Sequence, residues 1–289
     1  MDEELVSLLF ETKAFKVADE NKPFWYTSGK LGPYFINVDY LYGSKEDSES
    51  LLKIIDELLL NESKENIPSI LFEYVNKHYE ENKIFKTTID KLVSFIEKNI
   101  NIDSIDYISG GERRDWFFSI LVAYLLGKPH ITIFKDLTTV VSTCDFEETT
   151  LIDTLTNKNV FHVTDLLNTA SSFERAWVPA ITKLGSIMQW AIYPVDRNQG
   201  GYKCLENLQV APLSLITLNE ELFEIAFNKG IISENQKNIL NKYFEDPEET
   251  MQEFINSHPT FINDVIANGD EKSAKRAKLC LEKGWYTNQ

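Results

Sequence analysis

The feature that most constrains the fold is an alternation of strand-like and helix-like segments between residues 104 and 218. The strand-like segments are short, apolar and rich in β-branched residues: Tyr107–Ser109, Ile131–Phe134, Asn159–Val163, Ile187–Tyr193 and Leu213–Leu218. Helical patterns lie between them, for example at Trp116–Leu126 and Ser172–Leu184. Strands joined through single helices need crossover connections, which make neighbouring strands parallel. The sequence therefore predicts an α/β fold with a mainly parallel sheet flanked by helices.

The regions outside this segment have other patterns. Leu5–Phe15 has helical spacing, and Phe24–Tyr42 is rich in aromatic and β-branched residues, which predicts a hairpin that forms an N-terminal hood. Helical periodicity returns over residues 43–103 and again after residue 218, where Ser233 and Gln236 have the spacing of a capping box. We therefore predict a domain over residues 1–218 with a helical insertion at about 43–103, followed by an all-helical C-terminal extension over residues 219–289.

The charge balance argues against two classes of partner. Lys and Arg number 29 against 45 Asp and Glu, a formal net charge of −16. Nucleic acids and anionic membranes attract cationic surfaces, so we expect neither as a partner. The first residues are acidic where a signal peptide would be basic, and the best apolar run, Ile120–Leu126, is too short to span a bilayer. The sequence predicts a cytoplasmic protein.

The spacing of cysteines and histidines indicates no metal site or disulfide framework. The cysteines number 3, an odd count, and no two of them have Cys-x-x-Cys spacing. The 4 histidines are scattered without a paired motif. We expect reduced thiols, packed and hydrogen-bonded histidines, and no metal held by protein side chains.

In a parallel sheet, ligands bind beyond the carboxyl ends of the strands, so the loops that follow the strands are the candidate sites. The first loop, Gly110–Asp115, has two glycines, which allow a backbone to approach a ligand, and Arg113 and Arg114 at the start of a helix. Helix-start N–H groups and guanidinium groups both bind anions, which predicts an oligoanion site. The alternative is a surface loop whose charged residues pair only with one another.

Two further loops have suitable residues. The second loop, Thr164–Ser172, enters a helix with small hydroxyl residues that could hold a phosphate, and Asp165 could accept hydrogen bonds from sugar hydroxyls. N-capping of the helix by Ser171 or Ser172 would explain the same residues. The third loop, Asp196–Gly201, places Arg197 beside glycines, where it could hold a planar carboxylate; a plain turn is the alternative.

Together, and in this order, the N-terminal segment and the three loops resemble the orotate phosphoribosyltransferases, which have the type I phosphoribosyltransferase fold. Ser28-Gly29-Lys30-Leu31-Gly32-Pro33-Tyr34-Phe35 is similar to the Ser-Gly-(Arg/Lys)-x-Ser-Pro-Tyr-Phe segment of that family. Val160–Ser172 resembles its ribose-phosphate signature, and Val195-Asp196-Arg197 resembles its Val-Asp-Arg-Gln stretch. The resemblance covers about residues 5–42 and 104–218.

The resemblance implies an enzyme that transfers a 5-phosphoribosyl group from phosphoribosyl pyrophosphate (PRPP) to the pyrimidine base orotate and releases pyrophosphate. It implies that PRPP is bound by Arg113, Arg114, Lys135, Asp165, Asn168, Thr169, Ala170, Ser171 and Ser172, with Lys135, Asp165 and Arg114 as catalytic residues. By the same resemblance, Tyr34, Phe35 and Arg197 contact the base. Mg²⁺ arrives bound to the pyrophosphate of PRPP, and the implied partners are small molecules and a second copy of the chain in a homodimer.

The sequence departs from the family at several of these positions. Thr164 stands where the family has an acid, Ala170 where its loop has a glycine, and Thr27 where it has a lysine. Residues 137–148, in the place of a mobile catalytic loop, contain no Lys, Arg or His, so Lys135 is the remaining cation of that region. We expect this segment to be mobile. There are two alternatives. One is a non-catalytic protein with the same fold that senses PRPP or a nucleotide, and the other is an interaction protein whose helical extension is the functional part.

Overall fold

The computed structural model describes residues 1–286. Its helices and strands are, in chain order, α1 (Glu3–Glu11), β1 (Phe15–Val17), β2 (Phe24–Trp25), β3 (Leu31–Gly32), β4 (Tyr34–Ile36), α2 (Lys45–Asn61), α3 (Ile67–Glu81), α4 (Lys83–Asn99), β5 (Tyr107–Gly111), α5 (Trp116–Leu125), β6 (His130–Ile133), β7 (Thr139–Ser142), β8 (Thr149–Ile152), β9 (Asn159–Val163), β10 (Leu166–Leu167), α6 (Val178–Lys183), β11 (Ile187–Asp196), α7 (Gly201–Asn207), β12 (Ala211–Thr217), α8 (Glu220–Asn228), α9 (Glu234–Glu245), α10 (Pro247–Ser257), α11 (Phe261–Asn268) and α12 (Glu271–Lys283). Short 3-10 helices lie at Val38–Tyr42 and Ile102–Ser104, and a π-helical turn at Phe173–Trp177.

The chain divides into two compact units. The first contains Met1–Lys13 and Val38–Leu218, and the second contains Ala14–Asn37 and the residues from Asn219 onward. The first unit ends after residue 218 and leaves out residues 14–37, which our prediction had placed in one domain over residues 1–218. The predicted hood and the predicted extension fall together in the second unit, a grouping that the sequence alone did not indicate.

An eight-stranded sheet forms the centre of the first unit, with the order β10-β11-β9-β5-β6-β7-β8 and with β12 beside β11. The pairs β5–β6, β5–β9, β9–β11, β10–β11 and β11–β12 are parallel, whereas β7 pairs antiparallel with both β6 and β8. The parallel pairs arise because α5, α6 and α7 each carry the chain back to the start of the next strand. The predicted α/β class with a mainly parallel sheet is confirmed.

Helices of the first unit cover both faces of this sheet. Successive residues of a strand face opposite sides, and Gly110 faces α5 while Gly111 faces Trp177 of the π-helical turn. All residues of α5 from Trp116 to Ala123 are buried, so this helix has no solvent-facing polar side over that stretch. The predicted helical insertion consists of α2, α3 and α4. Within residues 1–286, no helix is both long enough and apolar enough to cross a lipid bilayer.

The second unit combines two short antiparallel strand pairs, β1–β4 and β2–β3, with helices α8 to α12. The ring of Tyr34 lies in its core, 5.4 Å between centroids from Phe15 and 5.6 Å from Phe244. The predicted capping box of Ser233 and Gln236 is present at the start of α9. These contacts give the second unit its own aromatic core.

Two sequence-based expectations about local structure were wrong. The helix expected over Leu5–Phe15 ends at Glu11, and Phe15 begins β1 instead. Residues 137–148, expected to be mobile, belong to an antiparallel hairpin in which β7 pairs with β8. Val140 is fully buried there, and the ring of Phe146 stacks on Phe72 of α3 at 4.8 Å. The polar and β-branched residues of this segment fit a half-buried strand pair rather than a loop.

Candidate functional site

The first and second loops meet in one cavity of about 350 Å³. They follow β5 and β9, which are neighbouring parallel strands, so both loops leave the same edge of the sheet. The cavity is lined by Glu112, Arg113, Arg114, Asp115, Lys135, Thr164, Asp165, Leu166, Leu167, Asn168, Thr169, Ala170, Ser171, Ser172, Phe173 and Trp177. The structure thus brings together every residue for which the resemblance implies PRPP binding.

Asp115 connects the two loops through hydrogen bonds to its carboxylate. Its Oδ2 accepts a hydrogen bond of 3.0 Å from the Gly111 N–H, and its Oδ1 accepts one of 2.8 Å from the Thr164 hydroxyl and one of 3.2 Å from the Asp165 N–H. The carboxylate is buried, and His162 Nε2 lies 3.4 Å from Oδ2. Because one buried carboxylate accepts from both strand ends, the relative position of the two loops is set by Asp115.

The predicted pyrophosphate cations all lie beside acids. Arg113 Nη1 donates to Asp56 of α2. Arg114 Nε lies 3.2 Å from Oδ1 of the buried Asp39. Lys135 Nζ lies 3.8 Å from Glu112 Oε1, and the Lys135 N–H donates to Glu112 Oε2 at 3.0 Å. The arginine partners lie outside the first loop, so the alternative in which its charges pair only with one another does not describe this site.

The charged side chains that line the cavity balance. Arg113, Arg114 and Lys135 are matched by Glu112 and Asp115 of the lining together with Asp39 and Asp56, the partners of the two arginines, without counting Asp165. Burial raises the pKa of the Asp165 carboxyl well above its usual value, and the nearby Asp115 and Asp39 carboxylates raise it further, while Arg114 acts in the opposite direction. A highly charged anion is therefore accommodated here only with cations of its own.

The second loop exposes polar side chains on both sides of one buried residue. Asn168, Thr169, Ser171 and Ser172 are exposed, and Ala170 between them is buried with a positive φ of 59°. The Ser171 hydroxyl accepts from Arg175 at 3.3 Å, and Ser172 makes no side-chain capping hydrogen bond to the helical turn that it precedes. Neither serine therefore acts as the side-chain N-cap that was the alternative explanation for this loop.

The third loop supports the second through its backbone. The Arg197 N–H donates to the Leu167 carbonyl at 2.9 Å, and a Cβ built on Gly201 would lie 2.4 Å from the Asn168 carbonyl oxygen. Asp196 is buried and accepts from the Asn198 N–H at 2.7 Å, and burial raises the pKa of its carboxyl. Arg197 is half-buried and is not among the residues that line the cavity.

The two aromatic residues predicted at the base lie in the second unit. The Tyr34 side chain is 1% exposed within the aromatic core of that unit. Phe35 is 38% exposed, with its ring 6.2 Å from that of Phe24. Of this pair, Phe35 presents the ring that a planar ligand could reach.

Packing, rather than ligand approach, explains the glycines of the first loop. A Cβ on Gly110 would lie 2.1 Å from the Ser119 hydroxyl oxygen, and a Cβ on Gly111 would lie 2.3 Å from the Trp177 ring. Each position must lack a side chain so that a helical segment can pack on the sheet. The expectation that these glycines admit a ligand was wrong for that reason.

Sequence reasoning missed the acids that organise the site. Asp39 lies in an aromatic segment, and Asp115 follows two arginines, so each had the pattern of an ordinary surface charge. The only signal for Asp115 was its place directly before a helix that is almost wholly apolar. Among residues 1–286, no group of three or more His, Cys, Asp and Glu side chains could hold a metal ion.

Comparison with solved structures identifies the fold. The orotate phosphoribosyltransferase of Francisella tularensis matches 84% of this chain and 95% of its own, with a TM-score of 0.50 and 13% identity. The orotate phosphoribosyltransferase of Aeropyrum pernix matches 78% of this chain and 99% of its own, at 16% identity and a TM-score of 0.48. The chain has an orotate phosphoribosyltransferase-like, type I phosphoribosyltransferase fold.

A longer protein shows the same likeness over part of its length. The UMP synthase of Leishmania donovani matches 82% of this chain with a TM-score of 0.49 and 14% identity, but this chain spans only 41% of it. The sequence matches no protein-family model and no curated protein sequence.

Proposed function

We propose that the chain is a pentosyltransferase that moves the 5-phosphoribosyl group of PRPP to a pyrimidine base, orotate, in the synthesis of pyrimidine nucleotides. The observation that supports this most is the shared cavity of the first and second loops at the carboxyl ends of β5 and β9, organised by the buried Asp115. It joins a hydroxyl-rich cradle to a cluster of cations, which suits a ligand with phosphate at both ends of a sugar.

Each part of PRPP has a counterpart in this proposal. Residues 168–172 hold the 5′-phosphate through N–H and hydroxyl groups, and Asp165 accepts hydrogen bonds from the ribose hydroxyls. Arg113, Arg114 and Lys135 face the pyrophosphate. The carboxylate of the base is held by the Arg197 guanidinium.

The balanced charge of the cavity fits a ligand that brings Mg²⁺ with it. Bound Mg²⁺ usually keeps several waters and is held by phosphate oxygens with one or two carboxylates. Asp165 and Glu112 line the cavity and would be the available carboxylates. When bound, Mg²⁺ neutralises charge on the pyrophosphate.

The chain's own side chains would act on the leaving group. In the proposed reaction the bond between the anomeric carbon and pyrophosphate breaks, and a ring nitrogen of the base bonds to that carbon and releases its proton to solvent. Negative charge grows on the pyrophosphate as it leaves, so Arg114 and Lys135 stabilise the transition state more than the ground state. For this they must exchange their present acid partners for the ligand.

Pyrophosphate release tests the proposal. The purified chain is incubated with PRPP, Mg²⁺ and one base at a time, and pyrophosphate is measured together with the nucleotide product. We expect release that depends on orotate, and we expect Arg197→Lys to raise the apparent orotate constant strongly while changing the PRPP constant little. Activity with hypoxanthine or uracil but not with orotate would contradict the choice of base.

A second candidate is a non-catalytic protein that binds PRPP or a nucleotide. The pairing of Arg113, Arg114 and Lys135 with acids favours it, because a catalyst needs these cations for the leaving group. Binding of PRPP without pyrophosphate release above the buffer rate, with every base tried, would support this candidate. A homodimer and a cytoplasmic location remain predictions from the resemblance and the sequence.

A further inference from the structure

Arg113 is held by an acid from the helical insertion. Its guanidinium Nη1 donates to the carboxylate of Asp56, which lies in the middle of α2. The side chain of Asp56 is 54% exposed and that of Arg113 is 27% exposed, and of the two only Arg113 lines the cavity. The insertion thus places a negative charge at the pyrophosphate end of the proposed site.

A pyrophosphate at Arg113 has to displace this carboxylate. Exposed ion pairs are weak, so displacement is possible, but the ligand loses affinity by replacing a partner and by approaching a like charge. The other end of the cavity differs, because residues 168–172 have no charged side chain and are not partners of Asp56. A 5′-phosphate in the second loop is therefore bound independently of α2.

We propose that Asp56 is a specificity-determining residue that lowers the affinity of the cavity for the pyrophosphate group and leaves its affinity for a 5′-phosphate unchanged. The cluster of cations alone would favour ligands with a pyrophosphate group. Because Asp56 reduces that preference, ligands with a single 5′-phosphate, such as ribose 5-phosphate or a nucleoside 5′-monophosphate, compete better for the cavity. This inference rests on the proposed function, because it assigns Arg113 to the pyrophosphate.

Calorimetric titration of matched variants tests it. Asp56→Asn removes the competing charge, and Glu57→Gln removes the charge of the neighbouring exposed residue on the same helix. Each is titrated with inorganic pyrophosphate plus Mg²⁺ and, separately, with ribose 5-phosphate. We expect Asp56→Asn to bind pyrophosphate about five-fold more tightly and ribose 5-phosphate within about two-fold of the wild type. Glu57→Gln should change both by less than about two-fold.

The Arg113→Gln background shows whether the effect passes through the ion pair. There, Asp56→Asn should tighten pyrophosphate binding by less than about two-fold, since the donor that it releases is gone and only the repulsion between like charges is relieved. Equal tightening by Asp56→Asn and Glu57→Gln would overturn the inference, because the effect would then be the general charge of α2. Unchanged pyrophosphate affinity in Asp56→Asn, with ribose 5-phosphate still bound, would overturn it and leave the proposed function standing. If neither protein binds ribose 5-phosphate, pyrophosphate or PRPP, the proposed function fails too.

Discussion

Asp165 is kept at a position that disfavours its charge. Burial and the carboxylates of Asp115 and Asp39 raise its pKa. At pH values between the unfolded-state pKa and the raised folded-state pKa, the folded chain therefore holds a proton on Asp165 that the unfolded chain has released. The free energy of unfolding then falls as the pH rises from the ordinary aspartate value of 3.8 through the raised folded-state value. A side chain that reduces stability near neutral pH is consistent with retention for a ligand.

Asp165→Asn should therefore stabilise the unliganded protein and weaken PRPP binding. We expect a higher melting temperature than wild type at about pH 7, a smaller gain at about pH 4, where the wild-type carboxyl is protonated in the fold, and PRPP affinity reduced by about tenfold or more. Thermal melts at the two pH values and a titration with PRPP and Mg²⁺ measure this. Asp153→Asn, on an exposed residue of the first unit, is the control. A variant that melts well below the wild type and binds normally would make Asp165 a structural residue.

Ala170 shows how a loop conformation can tolerate a non-glycine residue. Its φ of 59° costs an alanine about 1–2 kcal/mol, while its buried methyl group contributes about 0.8 kcal/mol. Since these effects oppose each other, Ala170→Gly should change the free energy of unfolding by less than about 1 kcal/mol. Ala180→Gly removes a methyl group from the same core cluster at an ordinary helical position, and it should cost about 2 kcal/mol. Urea denaturation of both variants checks the contrast, and equal losses would mean that Ala170 is not strained.

At the scale of the elements, the end of β5 links the core to the cavity. Gly111 leaves space for the Trp177 ring on one side, and its N–H donates to Asp115, which in turn holds the second loop. A side chain at Gly111 would push β5 and the π-helical turn apart. The same displacement would disturb the hydrogen bonds that join the two loops.

We expect Gly111→Ala to destabilise the first unit by about 1–3 kcal/mol and to weaken ligand binding. In a Trp177→Leu background, where the clashing ring is absent, the additional cost of Gly111→Ala should fall below about 1 kcal/mol. Chemical denaturation of the four proteins of this cycle measures both values. Additive losses would show that the strand end tolerates the methyl group without meeting Trp177.

At the scale of the whole molecule, ligand binding should stabilise the first unit. At about 100 times its dissociation constant, PRPP with Mg²⁺ should add roughly 2.7 kcal/mol to the free energy of unfolding, because it binds the folded state alone. The thermal shift should be lost with ribose, which has no phosphate for the second loop. No shift with PRPP or ribose 5-phosphate at millimolar concentration would contradict both candidate functions.

What the sequence could predict follows from the range of the interactions. Some features depend only on residues close in sequence, so their patterns can be found in the sequence itself. These are the capping box of Ser233 and Gln236 and the strands β5 and β9. The partners of Arg113 and Arg114 could not be found in this way, because Asp56 and Asp39 are distant in sequence and meet the arginines only in the folded unit. The hairpin of β7 and β8 was missed for a similar reason, since Phe146 is covered by Phe72 of α3, which is distant in sequence.

That hairpin bears on what else could react in the cavity. It packs on α3 through Phe146 and Phe72, and Lys64 donates to Thr138 at 2.8 Å just before β7, so folding over a bound ligand would break these contacts. A cavity that stays open admits water, which can react with the anomeric carbon in place of the base. A transferase with this geometry would lose part of its turnovers to hydrolysis, giving ribose 5-phosphate and pyrophosphate without nucleotide. The ratio of nucleotide to hydrolysed sugar would then depend on the strength of the contact between Phe72 and Phe146.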